Sequence, residues 1–218
     1  MDMATLIGSP TEPLTLNAVA KISQSLAEDL RGVVFTTDGF TVEDYFSLDG
    51  NYLVEFVDGR LQVLPMPDYF HQAIVGWFYV ALMHYVKPDP DSRVAFSPVR
   101  VMLDADRYRE PDVAFMLAAN KNRRHRAYWE GADFVLEVMS DTNRDHDWKT
   151  KRSEYANAGI PEYWIVDPDA RTVTKLVLRD RAYVDDTTAR EGDTLASTVL
   201  DGFSIDVGQM FRESEAAA

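Results

Sequence analysis

Two apolar runs one helix length apart constrain this chain more than any other feature. Phe134-Val135-Leu136-Glu137-Val138-Met139 is rich in β-branched and large apolar residues at both alternating positions. That is the pattern of a strand covered on both faces. Ser140 to Arg144 carries helix-capping residue types, and a helix is expected from about Asp145 to Ala158, with Gly159 and Pro161 as its stop. Ile160-Pro161-Glu162-Tyr163-Trp164-Ile165-Val166-Asp167 then reads as a turn into another strand. Strand, helix, strand at this spacing predicts a βαβ crossover whose two strands are parallel neighbours.

An acid interrupts the first run. A buried carboxylate such as Glu137 is costly unless it is paired, hydrogen-bonded or metal-bound. A second acid opens the short run Glu110-Pro111-Asp112-Val113-Ala114-Phe115-Met116. Proline is tolerated at the start of a strand, so Asp112 is expected where one begins. On the crossover helix Asp147, Lys151 and Tyr155 are spaced i, i+4, i+8 and share a face. If that face points toward the C-terminal end of the Glu137 strand, Lys151 reaches the same cleft. Two carboxylates can hold a divalent ion and a lysine can orient a water, the minimum equipment for metal-assisted phosphodiester cleavage.

The rest of the chain supplies one compact unit. Asn51 to Leu64 reads as a hairpin turning at Asp58-Gly59. Thr41-Val42-Glu43-Asp44 has the residue types of a helix start. Asp68 to Val86 is the best long helix, and its many aromatic and aliphatic residues predict burial on more than one side. Arg93 to Leu103, Thr172 to Leu178 and Gly192 to Val207 have strand character, and Val207 to Phe211 reads as a short closing turn. Residues 1–36 are expected to be an extension, with helical apolar spacing from Leu14 to Leu30. Residues 37–212 are the expected domain and 213–218 a flexible tail.

On these residues the chain resembles the Uma2 family, a branch of the PD-(D/E)XK nuclease superfamily. The resemblance rests on Pro111-Asp112, Glu137-Val138-Met139-Ser140, Asp147, Lys151, Tyr155, Gly159 and Glu162 to Pro168. Upstream it includes Tyr52 to Leu61, Pro65-Met66-Pro67 and His71-Gln72, and it runs on to Gly202-Phe203. It implies an α/β (mixed α+β) fold with a restriction-endonuclease-like core: a central mixed sheet flanked by helices, with the βαβ crossover carrying the active site. It also implies a metal-dependent endonuclease acting on DNA. Asp112, Glu137 and the backbone of Val138 would hold Mg²⁺ or Mn²⁺, and Lys151 would serve the attacking water. The superfamily pattern has its lysine two residues after the second acid, where this chain has Met139, and Lys151 on the helix is the matching residue. Glu55 has two readings: a cleft residue that assists the metal or fixes the lysine, or an outward-facing strand residue. His71 is read first as a packing or capping histidine and second as a contact to substrate or a carboxylate. Tyr155 and Trp164 are read as core.

Charge argues against indiscriminate DNA binding. The net charge is −14, from 36 acids against 22 Lys and Arg in 218 residues, whereas DNA affinity rests largely on basic groups. A nuclease therefore needs a local basic patch, and the candidates are Lys121, Arg123, Arg124, His125 and Arg126, then Lys149, Lys151 and Arg152, then Arg107 and Arg109. A homodimer would concentrate such patches. Without cysteine there is neither a disulfide nor a thiolate metal site. No apolar run of about 18 residues and no signal-peptide pattern occurs, so no membrane contact and a cytoplasmic location are expected. No serine-hydrolase elbow, phosphate-binding glycine loop or zinc signature is found. The alternatives to an enzyme are a non-catalytic nucleic-acid- or protein-binding module on the same fold, and an oligomer-forming role for residues 1–36.

Overall fold

The structure, a computed structural model, describes residues 35–48, 53–140 and 146–218. The helical spacing from Leu14 to Leu30 lies outside them. Four α-helices occur among the described residues, α1 (Val42–Ser47), α2 (Tyr69–Val86), α3 (Arg152–Asn157) and α4 (Val207–Ala217), with a 3-10 helix at Ala118–Arg123. A π-helical turn, His146–Lys151, leads directly into α3.

One six-stranded sheet contains β1 (Phe35–Asp38), β2 (Val54–Val57), β3 (Arg60–Val63), β5 (Val101–Asp104), β6 (Arg107–Arg109) and β8 (Trp129–Glu130), in the order β1-β3-β2-β6-β5-β8. The second contains β4 (Arg93–Phe96), β7 (Val113–Met116), β9 (Phe134–Val138), β10 (Glu162–Asp167), β11 (Thr172–Arg179) and β12 (Ala182–Arg190), in the order β12-β11-β10-β9-β7-β4. A small ladder joins β13 (Thr194–Ala196) to β14 (Ser204–Asp206).

The second sheet is the centre of the molecule. As the sequence predicts, β9 and β10 are parallel, with Glu137 opposite Ile165, and helical residues 146–157 lie between them in sequence. Every residue of β9 is buried. Phe134, Leu136, Val138, Trp164 and Val166 pack with Ile74, Phe78 and Leu82 of α2 and with Met210 and Phe211 of α4. Val135, Met139, Tyr163 and Ile165 face the other way, toward Tyr155 and Ala156 of α3. Trp164 meets Phe78 and Phe134 edge-on, at 6.2 and 5.3 Å between centroids. Removing such a buried ring costs about 3–5 kcal/mol. In the first sheet Val54 and Phe56 join Tyr45, Leu61 and Tyr108 in a third apolar cluster.

Local signals explain the boundaries. Thr41 and Asp44 form a reciprocal capping box at α1, and the Asp68 carboxylate accepts from the His71 N–H at the start of α2. Asp58 and Gly59 turn the β2–β3 hairpin with φ of 50° and 75°, the positive pair that a tight hairpin turn needs.

The structure differs from the sequence reading, or adds to it, at four places. The long helix fully buries one stripe, Ile74, Val75, Phe78, Leu82 and Val86, packs Trp77, Ala81 and Tyr85 only in part, and leaves Tyr69, Val80 and Met83 exposed. Residues 93–103 form not one strand but two, β4 and β5, in different sheets. The break contains Pro98, which has no N–H to continue a ladder. Strand β12 was not expected; Asp180 and Arg181 turn the chain into it with positive φ although neither is glycine. The closing turn and the tail are one helix, α4, in which Ser214 is buried and Glu213 accepts from the Trp77 indole at 2.6 Å. Among the described residues no helix is long and apolar enough to cross a membrane.

Candidate active site

The crossover brings the two acids to one end of the central sheet. Strand β7 runs antiparallel to β9 with Val113 opposite Leu136. Asp112, one residue before β7, therefore stands beside the Glu137–Val138 step. Its Oδ2 accepts the Val138 N–H at 2.8 Å, which fixes the carboxylate against the end of β9. Glu137 belongs to the face of β9 that looks at α3 and is 3% exposed. Its Oε1 lies 2.9 Å from Lys151 Nζ and accepts the Tyr155 hydroxyl at 2.6 Å. Lys151 is the last residue of the π-helical turn, a widened turn of a kind found often at functional sites. Lys151 is itself buried, so this charge pair depends on its partners rather than on water.

Glu55 faces inward. It is fully buried, which removes the outward-facing reading. Val54 and Phe56 point into the third apolar cluster, so the alternation of β2 sends Glu55 to the opposite side. There Arg109 Nη1 donates to Glu55 Oε2 at 2.5 Å and to Gln62 Oε1 at 2.7 Å, while the Glu110 N–H donates to Glu55 Oε1 at 3.1 Å. The Nε and Nη2 atoms of Arg109 clasp both oxygens of Glu154, at 2.7 and 2.8 Å. Glu154 lies one turn beyond Lys151 on the same helical stretch. Burial pushes the Glu55 carboxyl up, but Arg109 and Lys151 outweigh it and the net shift is downward. Arg109 is raised above its ordinary value: burial opposes its charge, and Glu55 and Glu154 more than compensate.

Two residues enter the site whose first reading placed them elsewhere. The ring of His71, in the first turn of α2, places Nε2 3.1 Å from Asp112 Oδ2, so the second reading of this residue applies. Burial disfavours charge on the ring, yet Asp112, Glu137 and the Val138 backbone raise its pKa above the ordinary histidine value. The Tyr155 ring is core, as expected, but its hydroxyl is a site group, and burial next to Glu137 holds its pKa well above that of a free phenol. The i+4 relation to Lys151 was the available signal for Tyr155. For His71 the only signal was its place after Pro65-Met66-Pro67. The Asp147 side chain and His146 lie outside the described side chains.

The basic residues divide. Arg107 pairs with Asp58 and Asp104, Lys121 with Asp91 and His125 with Glu130. Arg109 is 1% exposed. The Arg107–Arg109 group is therefore spent inside the fold and offers no patch, because its partners are carboxylates of the same chain. Arg126 and Lys149 are exposed.

Asp112, Glu137 and the Val138 backbone offer hard oxygen donors of the type that suits Mg²⁺ or Mn²⁺. Among the described residues no three His, Asp or Glu side chains stand ready around one point to hold an ion. Instead each carboxylate carries a cation-type partner, His71 on Asp112 and Lys151 on Glu137. The donor set fits a divalent ion that takes over part of this pairing. A groove of about 630 Å³ bounded by α2 and α4 is lined by Tyr69, Trp77 and Val80 and includes none of these groups.

Two comparisons with known proteins found a match. The model of the Uma2 family, described as "Putative restriction endonuclease", matches residues 42–208. A crystal structure from Anabaena variabilis, titled as that of a "putative nuclease belonging to DUF820", superposes with a TM-score of 0.65 at 17% identity, covering 80% of this chain and 99% of that one. At that identity the superposition shows a shared fold alone, here a restriction-endonuclease-like one. No curated protein matches the chain.

Proposed function

The chain belongs to the Uma2 family, and from that premise we propose that it is a metal-dependent endonuclease hydrolysing phosphodiester bonds of DNA. The observation that carries the reading is the convergence of Asp112, Glu137 and Lys151 at the end of β9, each held by a hydrogen bond or ion pair of 2.8–2.9 Å.

Asp112, Glu137 and the Val138 carbonyl would hold Mg²⁺ or Mn²⁺. Such an ion supplies a polarised scissile phosphate and a water of lowered pKa. Lys151 orients the attacking water with its ammonium and offsets charge that builds on the phosphate oxygens. Tyr155 donates to Glu137 and keeps that carboxylate aimed at the cleft. Arg109 ties Glu55 to Glu154 and so fixes the helix that delivers Lys151. In the reaction the water oxygen bonds to phosphorus, the bond from phosphorus to the leaving sugar oxygen breaks, and that oxygen ends protonated.

The test is cleavage by the Asp112→Ala protein. Loss of cutting together with weakened Mn²⁺ binding is expected, and wild-type cutting would sink the assignment. Exposed Lys149 and Arg126 would be among the cations that meet DNA phosphate. The overall acidity restricts binding to places where such cations cluster.

A further inference from the structure

Two aromatic rings stand exposed among the described residues, Tyr69 and Phe96. The Tyr69 hydroxyl donates to the Ala217 carbonyl at 2.8 Å, which fastens that ring between α2 and α4. Phe96 has no polar handle to fasten. It is 49% exposed and ends β4, the strand that closes one edge of the central sheet. Sheet edges are usually guarded by charge, proline or a covering element, because an exposed apolar edge invites aggregation. Phe96 sits at the end of this edge nearest the acid that opens β7. It pairs with Val113, and the Ser97 N–H donates to the Asp112 carbonyl at 3.1 Å. Val94 packs into the core with α2, so the alternation of β4 turns Phe96 to that same side. The Asp112 carboxylate faces this side too, with Oδ2 3.1 Å from His71 Nε2 of α2. The Tyr79 ring meets Phe96 at 4.7 Å between centroids and 74° between planes. Such an edge-on contact holds the Phe96 ring in place and covers no more than one of its faces.

From this position we infer that Phe96 is a stacking platform for an unpaired base of the strand being cut, so that the enzyme acts on single-stranded or locally opened DNA. The inference rests on the cleavage site proposed above and names the substrate form that site takes. Cross-strand neighbours in an antiparallel pair stand about 4.5–5.5 Å apart, so Phe96 and Asp112 can meet adjacent nucleotides of one strand. A base inside a duplex already has both faces stacked on its neighbours. Only a base released from pairing can lie on the Phe96 ring, and the ring then replaces part of the stacking that the base has lost. Every base has a π-face and phenylalanine has no hydrogen-bonding group, so the contact holds the strand without reading its sequence. The net charge makes such a contact useful. At −14, phosphate contact is a weak anchor for this chain, and stacking supplies affinity that does not depend on basic residues. Tyr79 serves as the brace: it stands on α2, whose Ile74, Val75 and Phe78 are buried in the core, so the platform is fixed to the same rigid frame as the acids.

The experiment uses single-stranded DNA oligonucleotides in which one base at a time is replaced by an abasic sugar. Binding is read by fluorescence anisotropy with the full-length Lys151→Ala protein in Mn²⁺, which keeps the strand intact, and cleavage rates are read with Lys151 in place. Phe96→Ala and Phe96→Trp are compared on both backgrounds. One abasic position is expected to weaken binding about 5-fold or more, the scale of a single base–aromatic stack. Phe96→Ala weakens binding of the intact strand by a similar factor and no longer distinguishes that abasic position, while Phe96→Trp keeps the discrimination. If Phe96→Ala fails to fold, Phe96→Leu, which keeps apolar bulk against Tyr79, takes its place. A merely structural role for Phe96 would weaken every strand alike, and that result overturns the inference. So does a scan in which no abasic position matters, or a parent protein that binds no single-stranded DNA. A Phe96-dependent position found in a protein whose wild type never cuts supports the platform and sinks the nuclease reading. Cutting that needs Asp112 but is indifferent to Phe96 on every strand does the reverse.

Discussion

Arg109 Nη1 lies 2.5 Å from Glu55 Oε2, in a pair that is 1% and 0% exposed. The same guanidinium grips Glu154, so one arginine of β6 joins the hairpin strand β2 to the helix that presents Lys151.

Truncating this arginine leaves buried carboxylates without their counter-charge. Arg109→Ala is therefore expected to lose about 3–5 kcal/mol of stability, the usual consequence of removing one partner of a buried ion pair. Urea unfolding measures it. A loss below about 1 kcal/mol would mean that Glu55 and Glu154 find other partners or water.

Tyr155→Phe removes a 2.6 Å hydrogen bond to the Glu137 carboxylate and little else, since the ring is wholly buried. Hydrogen bonds to charged groups contribute about 1.5–3 kcal/mol. A destabilisation of that size by denaturant titration is expected, together with reduced cleavage because Glu137 loses an anchor. Unchanged stability would remove Tyr155 from the site.

Lys151→Ala separates chemistry from metal holding. Cleavage is expected to fall by at least about 100-fold, the scale for losing one group that stabilises transition-state charge. Mn²⁺ affinity should stay the same or rise, since a cation that pairs with Glu137 at 2.9 Å is gone. Side-by-side initial rates and binding titrations check both parts, and a Lys151→Ala protein that cuts at the wild-type rate contradicts the role given to this lysine.

Glu110 predicts a pH dependence of stability. Burial and the neighbouring Glu55 push its carboxyl up to about 7, with Arg100 pulling the other way, from an ordinary value of 4.5. One of its oxygens has no hydrogen-bond partner. The native state thus keeps a proton that the unfolded chain has already released. The resulting stabilisation is complete below the unfolded value and is lost as pH rises toward 7. Glu110→Gln escapes this loss, so its stability relative to wild type should be higher at pH 8 than at pH 5, by about 1–3 kcal/mol. Unfolding of both proteins in EDTA at the two pH values tests it, and an equal difference at both would contradict the burial argument.

What the sequence disclosed depended on whether a feature was local. The parallel β9–β10 pair was legible because Phe134–Met139 and Ile160–Asp167 are apolar on both faces and one helix apart. The Asp58-Gly59 turn and the Thr41 cap are signals within a few residues. Glu55 was ambiguous because alternation in β2 does not say which face is the wet one when both are covered. His71 was read first as a packing or capping residue because its partner, Asp112, is distant in sequence and meets it only when α2 packs on the central sheet. The same blindness applied to charge: nothing in the order of residues says that Arg107 and Arg109 turn inward toward Asp58, Asp104, Glu55 and Glu154. The C-terminal residues Glu213 to Ala217 look like a solvated tail, yet contacts with Trp77 and Tyr69 of α2 hold them in a helix.

The most direct measurement is cleavage of plasmid, linear single-stranded and branched DNA in Mg²⁺, Mn²⁺ or EDTA by wild type and Glu137→Ala. Cutting that requires the metal and disappears in Glu137→Ala is the expected result. Folded wild-type protein that cuts no substrate, or a Glu137→Ala protein that cuts as well as wild type, would contradict the nuclease reading of this site.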